Sequence, residues 1–169
     1  MISVEYAQTM SRYGAWQNES LALATDSLTD PARREDRGAF FGSIFGTLNH
    51  LLWADRIWMS RFAATEPPRM ASIAASIDET DDWQTYRVER RAMDETISDW
   101  TSGLTTEWLT GDLTWWSGAA GREMTRSKPI LLVHFFNHGT HHRGQVHAML
   151  TGAGLSVDDT DLPKLPISS

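Results

Sequence analysis

The chain has 169 residues, of which 41% are hydrophobic, and this size and composition indicate one soluble globular domain and exclude a mostly disordered chain. The formal net charge of -7 excludes a surface built to neutralise nucleic-acid phosphates. Because cysteine is absent, a metal site would have to use nitrogen and oxygen ligands.

Arg33 and Arg34 form the one compact basic spot, and Glu35 and Asp36 follow them at once, a pattern typical of a solvated turn. No apolar run approaches the length of a membrane-spanning helix, and the first residues lack the basic and apolar regions of a secretory signal. We therefore expect a cytoplasmic protein with neither a membrane nor a nucleic acid as partner.

Prolines divide the chain into four stretches in which apolar residues recur with helical spacing. These stretches run from about residue 4 to 28, 39 to 64, 82 to 103 and 129 to 151. Phe41 and Leu48 lie on the apolar stripe of the second predicted helix. Eight tryptophans are many for this length, and our default interpretation is that they fill the core or subunit contacts.

Local signals place some of the helix ends. Asp81 with Gln84 three residues later resembles a capping box at the start of the third helix. Ser127 is the predicted N-cap of the fourth helix, which Pro129 opens, and Gly152 is predicted to cap its C-terminal end.

Residues 109–126 interrupt the helical pattern. Two short segments, 112–116 and 122–125, flank the turn sequence Ser-Gly-Ala-Ala-Gly and predict a β-hairpin. The sequence thus predicts an all-α fold, a four-helix bundle with a small β-hairpin before the last helix. We assign residues 1–155 to a single bundle domain, and residues 156–169, which are polar and rich in proline, to an extended C-terminal tail.

All six histidines lie in the second and fourth predicted helices. His138 and His142 are four residues apart, which places them about 40° apart on one helix face. Two histidines at this spacing can direct ring nitrogens to one ion, as in HExxH zinc sites. His50, among small residues on the second helix, can supply a third nitrogen.

A structural alternative stands beside this metal site. A single histidine on an apolar helix face is more often a hydrogen-bonded core residue than a ligand. His134 and His141 lie close enough to the ligand face to line a pocket or to orient the ligands, whereas His147 points away from it.

Two segments, TLNHLLWADRIW at 47–58 and NHGTHHRGQ at 137–145, resemble the motifs of the DinB/YfiT-like metalloenzymes, the DinB family. The resemblance covers about residues 5–152 and includes Trp16-Gln17-Asn18 in the first helix. It implies an up-down-down-up bundle with a long crossover at 66–82, often assembled as a homodimer. It also implies that His50, His138 and His142 are the metal ligands.

Three neutral imidazoles leave at least one coordination position open, as is typical of a catalytic site. Zinc or nickel suits such ligands best, and iron, cobalt or manganese would also accept them. The resemblance implies an ion that activates a low-molecular-weight thiol, and the ligands alone would equally serve to activate water. We therefore predict a metal-dependent enzyme of the thiol S-transferase, isomerase or hydrolase type, acting on a small molecule.

The alternative is a non-catalytic protein that binds a metal or a small ligand, which the lack of an obvious general base favours. A ferritin-like carboxylate site is disfavoured because no Glu-x-x-His occurs. No catalytic residue is assigned, but Gln145, Arg143 and Asp55 are candidates for supporting roles. A buried salt bridge between Asp55 and an arginine is the favoured interpretation of that aspartate.

Overall fold

Within residues 2–166, which a computed structural model describes, the chain forms five α-helices and one β-hairpin. The helices are α1 (Val4–Asp26), α2 (Asp30–Arg34), α3 (Ile44–Ala63), α4 (Trp83–Ser102) and α5 (Lys128–Gly152). Strands β1 (Asp112–Ser117) and β2 (Arg122–Ser127) pair antiparallel. A mostly helical fold with a small hairpin before the last helix is thus confirmed. In this part of the chain no helix has the length and apolar character needed to span a bilayer.

Side-chain caps define where three of the long helices begin. Ser3, Ser43 and Asp82 each accept a hydrogen bond from the backbone N–H three residues later. The predicted cap at Asp81 is therefore wrong by one residue, because both carboxylate oxygens of Asp81 accept hydrogen bonds from Arg69 instead.

The helix that corresponds to the second predicted one starts at Ile44, not near residue 39. Gly42 has a φ of 72° and closes a turn that the helix cannot include, so Phe41 lies before the helix and not on its stripe. That turn packs directly on the first helical turn, since a Cβ on Gly46 would lie 2.5 Å from the Phe41 carbonyl oxygen.

The predictions at the remaining helix ends have different outcomes. Arg33 and Arg34, predicted to lie in a solvated turn, form the last turn of the short α2, in which Arg34 is exposed. Ser127 is the N-cap residue of α5 as predicted, although its hydroxyl makes no capping hydrogen bond. The predicted cap at Gly152 is wrong, because helical hydrogen bonds continue past it and the left-handed residue is Gly154, with a φ of 84°.

The four long helices enclose one hydrophobic core. α1 packs against α4 and α5, and α3 packs against the same two helices. Apolar side chains from all four helices meet in this core, among them Ala7, Leu21, Leu48, Leu52, Met59, Tyr86, Ile97, Leu131, Leu132, Val146 and Leu150. Removing such side chains from water is the main driving force for the bundle.

Asn49 attaches the crossover between α3 and α4 to the bundle. Its amide nitrogen donates to the carbonyl oxygens of Ile77 and Thr80, and its amide oxygen accepts from the backbone N–H and the hydroxyl of Thr80. Since Asn49 is fully buried, these hydrogen bonds compensate its loss of hydration.

Glu79, a residue of the crossover itself, also links this segment to α3. Its buried carboxylate pairs with Arg56 of α3, and it accepts hydrogen bonds from the backbone N–H groups of Arg69 and Met70. The crossover is thereby fixed against the α3 face that carries His50.

Beyond α5 the chain returns along α1. The Tyr13 hydroxyl donates to the carbonyl oxygen of Thr160, and the Gln17 amide donates to that of Asp159. Residues 167–169 of the predicted tail lie outside the described residues.

Candidate metal centre

His50 of α3 and His138 and His142 of α5 converge on one point. One ring nitrogen from each lies within 4.8 Å of the other two, and Nε2 of His50 is 3.3 Å from Nε2 of His138. Two nitrogen ligands on a tetrahedral zinc ion, at bonds of 2.0–2.1 Å, are about 3.3 Å apart. The spacing of these two nitrogens therefore fits a small divalent ion.

The hydrogen bond of His50 defines which of its nitrogens is free. Its Nδ1 lies 2.8 Å from Oγ of Ser76, whose hydroxyl already donates to the carbonyl oxygen of Ile73. Nδ1 therefore carries the proton and donates it to Ser76, which leaves the Nε2 lone pair directed at the common point. Ser76 lies in the crossover, outside every sequence motif, and sequence reasoning did not identify it.

Gln145 orients the ring of His142 in the same way. The Nδ1–H of His142 donates to the amide oxygen of Gln145 at 2.7 Å, and the Gln145 amide nitrogen donates to Nε2 of His141 at 3.3 Å. Hydrogen bonds to the ring nitrogen that does not face the ion hold ligating histidines in one tautomer and orientation. Among the predicted supporting residues, Gln145 thus contacts a candidate ligand directly, with His141 behind it.

The three imidazoles are neutral in the folded protein. Burial, together with a smaller effect of the neighbouring His142, lowers the pKa of His50 and of His138 to about 3. Burial also lowers the pKa of His142. Because a metal ion binds the deprotonated ring nitrogen, this environment suits metal binding at neutral pH.

The metal-free protein should lose stability as the pH falls below 6.5. The unfolded chain takes up protons at His50 and His138 near pH 6.5, whereas the folded chain resists protonation down to about pH 3. Their contribution to the free energy of unfolding is therefore complete above pH 6.5 and is lost progressively down to about pH 3. Urea unfolding of chelator-treated protein at pH 4.5–7.5 measures this loss. A double variant with glutamine at both positions should lose less stability over that interval, and an identical loss would contradict the assignment.

Aromatic rings cover the centre on the α3 side. The Phe41 ring stacks on the His50 ring at 3.7 Å between centroids, and it lies 5.4 Å from the ring of His142. The Trp53 indole lies nearly parallel to His50 at 5.7 Å. Phe41, displaced from its predicted helical position, thus shields the imidazoles from water.

A cleft of about 830 Å³ opens beside His50 and His138. Its walls come from α3, α5, the hairpin and the crossover, and they include Trp53, Trp58 and Trp115. Trp53 and Trp58 are buried and Trp115 packs against the core, in line with the default interpretation of the tryptophans, and all three also line the cleft. Concave sites of this volume, mostly apolar with a few polar groups, are typical of small-molecule binding.

Asp55 and Arg143, predicted as supporting residues, do not join the histidine cluster. The Asp55 carboxylate accepts a 2.7 Å hydrogen bond from Arg90, so the salt bridge that its buried position favours is present. The Arg143 guanidinium extends toward α1, over the Tyr13 ring. Both line a separate cavity of about 20 Å³, the size of one water molecule.

Comparisons with known proteins identify the family of the chain. The sequence profile of the DinB family matches residues 1–168. The protein named Protein DinB from Bacillus subtilis (strain 168) is 25% identical over 162 residues, which cover 93% of this chain and 91% of the relative. No solved structure matches the chain significantly. The chain belongs to the DinB family.

Proposed function

We propose that this protein binds one divalent metal ion through His50, His138 and His142 and is a metal-dependent enzyme acting on a small molecule. The observation that supports this proposal is the convergence of three neutral imidazoles, from two helices, beside an open cleft. Zinc or nickel fits this donor set best, with iron, cobalt or manganese as further candidates.

Such an ion, when bound, lowers the pKa of a coordinated thiol or water toward neutrality. Residues around the three histidines orient the ligand rings and limit the access of water. Ser76 and Gln145 hold two of the ligand rings in the tautomer that presents Nε2, and Phe41 excludes water from one side of the centre. The cleft admits a substrate from the other side.

We propose a low-molecular-weight thiol as the cosubstrate of a transfer or isomerisation reaction. If the ion activates water instead of a thiol, the reaction is a hydrolysis.

One observation favours the second candidate, a non-catalytic protein that binds metal or a small ligand. In the described part of the chain no aspartate or glutamate lines the cleft, so a carboxylate general base is missing from its walls.

An activity assay tests catalysis separately from binding. Protein loaded with zinc or nickel is incubated with glutathione or cysteine and 1-chloro-2,4-dinitrobenzene, and in parallel with p-nitrophenyl acetate alone. We expect turnover that depends on the metal and that His142→Gln abolishes. A wild-type protein that holds one ion per chain and turns over none of these probes would support the binding protein and contradict the enzyme.

We also propose the up-down-down-up connectivity, a homodimer, a cytoplasmic location and the division into a domain at 1–155 and a tail at 156–169. Gln8 contacts Thr101 and Asp26 contacts Trp83, so opposite ends of α1 and α4 meet, which supports an antiparallel pair. Phe45 contacts Trp83 and Phe62 contacts Trp100, so like ends of α3 and α4 meet, which supports a parallel pair. The homodimer stays a prediction that light scattering of the purified protein would test.

A further inference from the structure

One face of α3 forms a continuous wall of the cleft. The residues on this face recur at intervals of three and four, which places them on one stripe; they are His50, Trp53, Ala54, Ile57, Trp58 and Arg61. From His50 to Arg61 the helix rises by about 16 Å, or three turns. The candidate metal centre thus lies at one end of the stripe and a guanidinium group lies at the other.

The Arg61 guanidinium lies against two indole rings of the cleft wall. It lies over the Trp58 ring at 4.8 Å and over the Trp115 ring at 5.6 Å, and the residue is partly buried. Within residues 2–166 no carboxylate lies within salt-bridge distance of it, whereas the buried Arg90 and the partly buried Arg56 each pair with two carboxylates. Burial also lowers the pKa of Arg61, because desolvation disfavours its charged form.

The cleft around Arg61 has no negative charge of its own in the described part of the chain, since neither aspartate nor glutamate is among its lining residues. The two indole rings hold the guanidinium by cation–π contacts and keep its planar donor fork in place. A guanidinium fixed in this way is suited to a carboxylate, which it can bind with two parallel hydrogen bonds.

We propose that Arg61 binds the carboxylate of the small-molecule ligand whose other end reaches the three histidines, with an apolar body between them along Trp58 and Ile57. This inference rests on the proposed function, because it identifies the ligand class of the same cleft. It defines that class as elongated carboxylic acids with an apolar or aromatic middle.

Binding of a matched pair of probes tests the proposal. The probes are 4-phenylbutyrate and its neutral analogue 4-phenylbutyramide, and quenching of the tryptophans that line the cleft reports binding. We expect the wild-type protein to bind the carboxylate about ten-fold or more tightly than the amide, the contribution of one charged hydrogen-bonded pair. Arg61→Gln should remove this preference, and Arg61→Lys should retain part of it.

Arg12→Gln, an exposed arginine on α1 outside the cleft, is the matched control for net charge and should keep the full preference. Thermal unfolding and metal analysis of each variant separate this test from the metal proposal, because Arg61→Gln should still fold and bind metal like the wild type. A preference that survives Arg61→Gln but disappears on metal removal would place the carboxylate on the ion and overturn the proposal. Equal binding of the two probes, or no carboxylate binding by the wild type, would also overturn it.

Discussion

Replacing His50 or His142 with alanine is expected to reduce bound metal from about one ion per chain to a small fraction of that. Each ring supplies one of the three nitrogens that converge within 4.8 Å. Losing a residue that only hydrogen-bonds to a metal ligand lowers the metal affinity about 10–100-fold. Losing the ligand itself should therefore lower the metal affinity more than about 100-fold. Elemental analysis of the purified proteins after dialysis against metal-free buffer measures the content.

His147→Ala is the matched control, since this histidine lies on the same helix but outside the cluster, and it should retain the wild-type content. Ser76→Ala and Gln145→Leu should fall between these limits, with affinities about 10–100-fold weaker, because they remove the contacts that orient His50 and His142. Full metal content in His50→Ala would show that the ion binds elsewhere.

Replacing Leu48 with aspartate is expected to abolish cooperative unfolding. Leu48 is 1% exposed in the second turn of α3, so the variant would lose a buried apolar side chain and place a charge in its position. Truncating a buried leucine costs about 2–5 kcal/mol, and an unpaired buried charge adds several more, which together rival the whole stability of a typical domain. Thermal unfolding followed by circular dichroism measures the effect.

Leu131→Asp should behave in the same way, because Leu131 is 4% exposed in α5. Leu23→Asp is the control on α1, where the side chain is 55% exposed, and its unfolding should remain cooperative. A Leu48→Asp protein that melts like the wild type would mean that the faces of α3 are assigned wrongly.

The helices and the pair His138 and His142 could be predicted because both depend on local spacing, whereas His50 was assigned as the histidine outside the last helix and from the family resemblance. Helical periodicity placed Leu48 in the core, and the four-residue interval between His138 and His142 put both rings on one face. The same periodicity predicted that the second helix already includes Phe41, which is wrong. The spacing of apolar residues contains no information on the left-handed backbone of Gly42, which prevents the helix from starting there.

The remaining features depend on contacts between segments distant in sequence. Ser76 approaches His50 because Asn49 and Glu79 hold the crossover against α3, and no local pattern marks that serine. Arg61 and Trp115 meet only after the hairpin folds against the bundle. Sequence spacing alone could therefore nominate ligands, but it could not define the cleft or the residues that orient the ligand rings.

The segment at 47–58 illustrates how one local motif acquires several separate roles in the fold. Asn49 attaches the crossover, His50 presents Nε2 to the candidate centre, and Trp53 donates its indole N–H to the Met70 carbonyl oxygen at 2.7 Å. Asp55 pairs with a buried arginine of α4. Only one of these four residues points its reactive atom at the proposed ion, and the others hold the surrounding elements in position.

The central claim is most directly tested by a crystal structure of zinc-loaded protein with anomalous diffraction data collected at the zinc absorption edge. We predict one strong anomalous peak per chain, within about 2.0–2.2 Å of Nε2 of His50, His138 and His142. A zinc peak bound to other residues, or the absence of a peak at these three nitrogens in zinc-saturated crystals, would contradict the account.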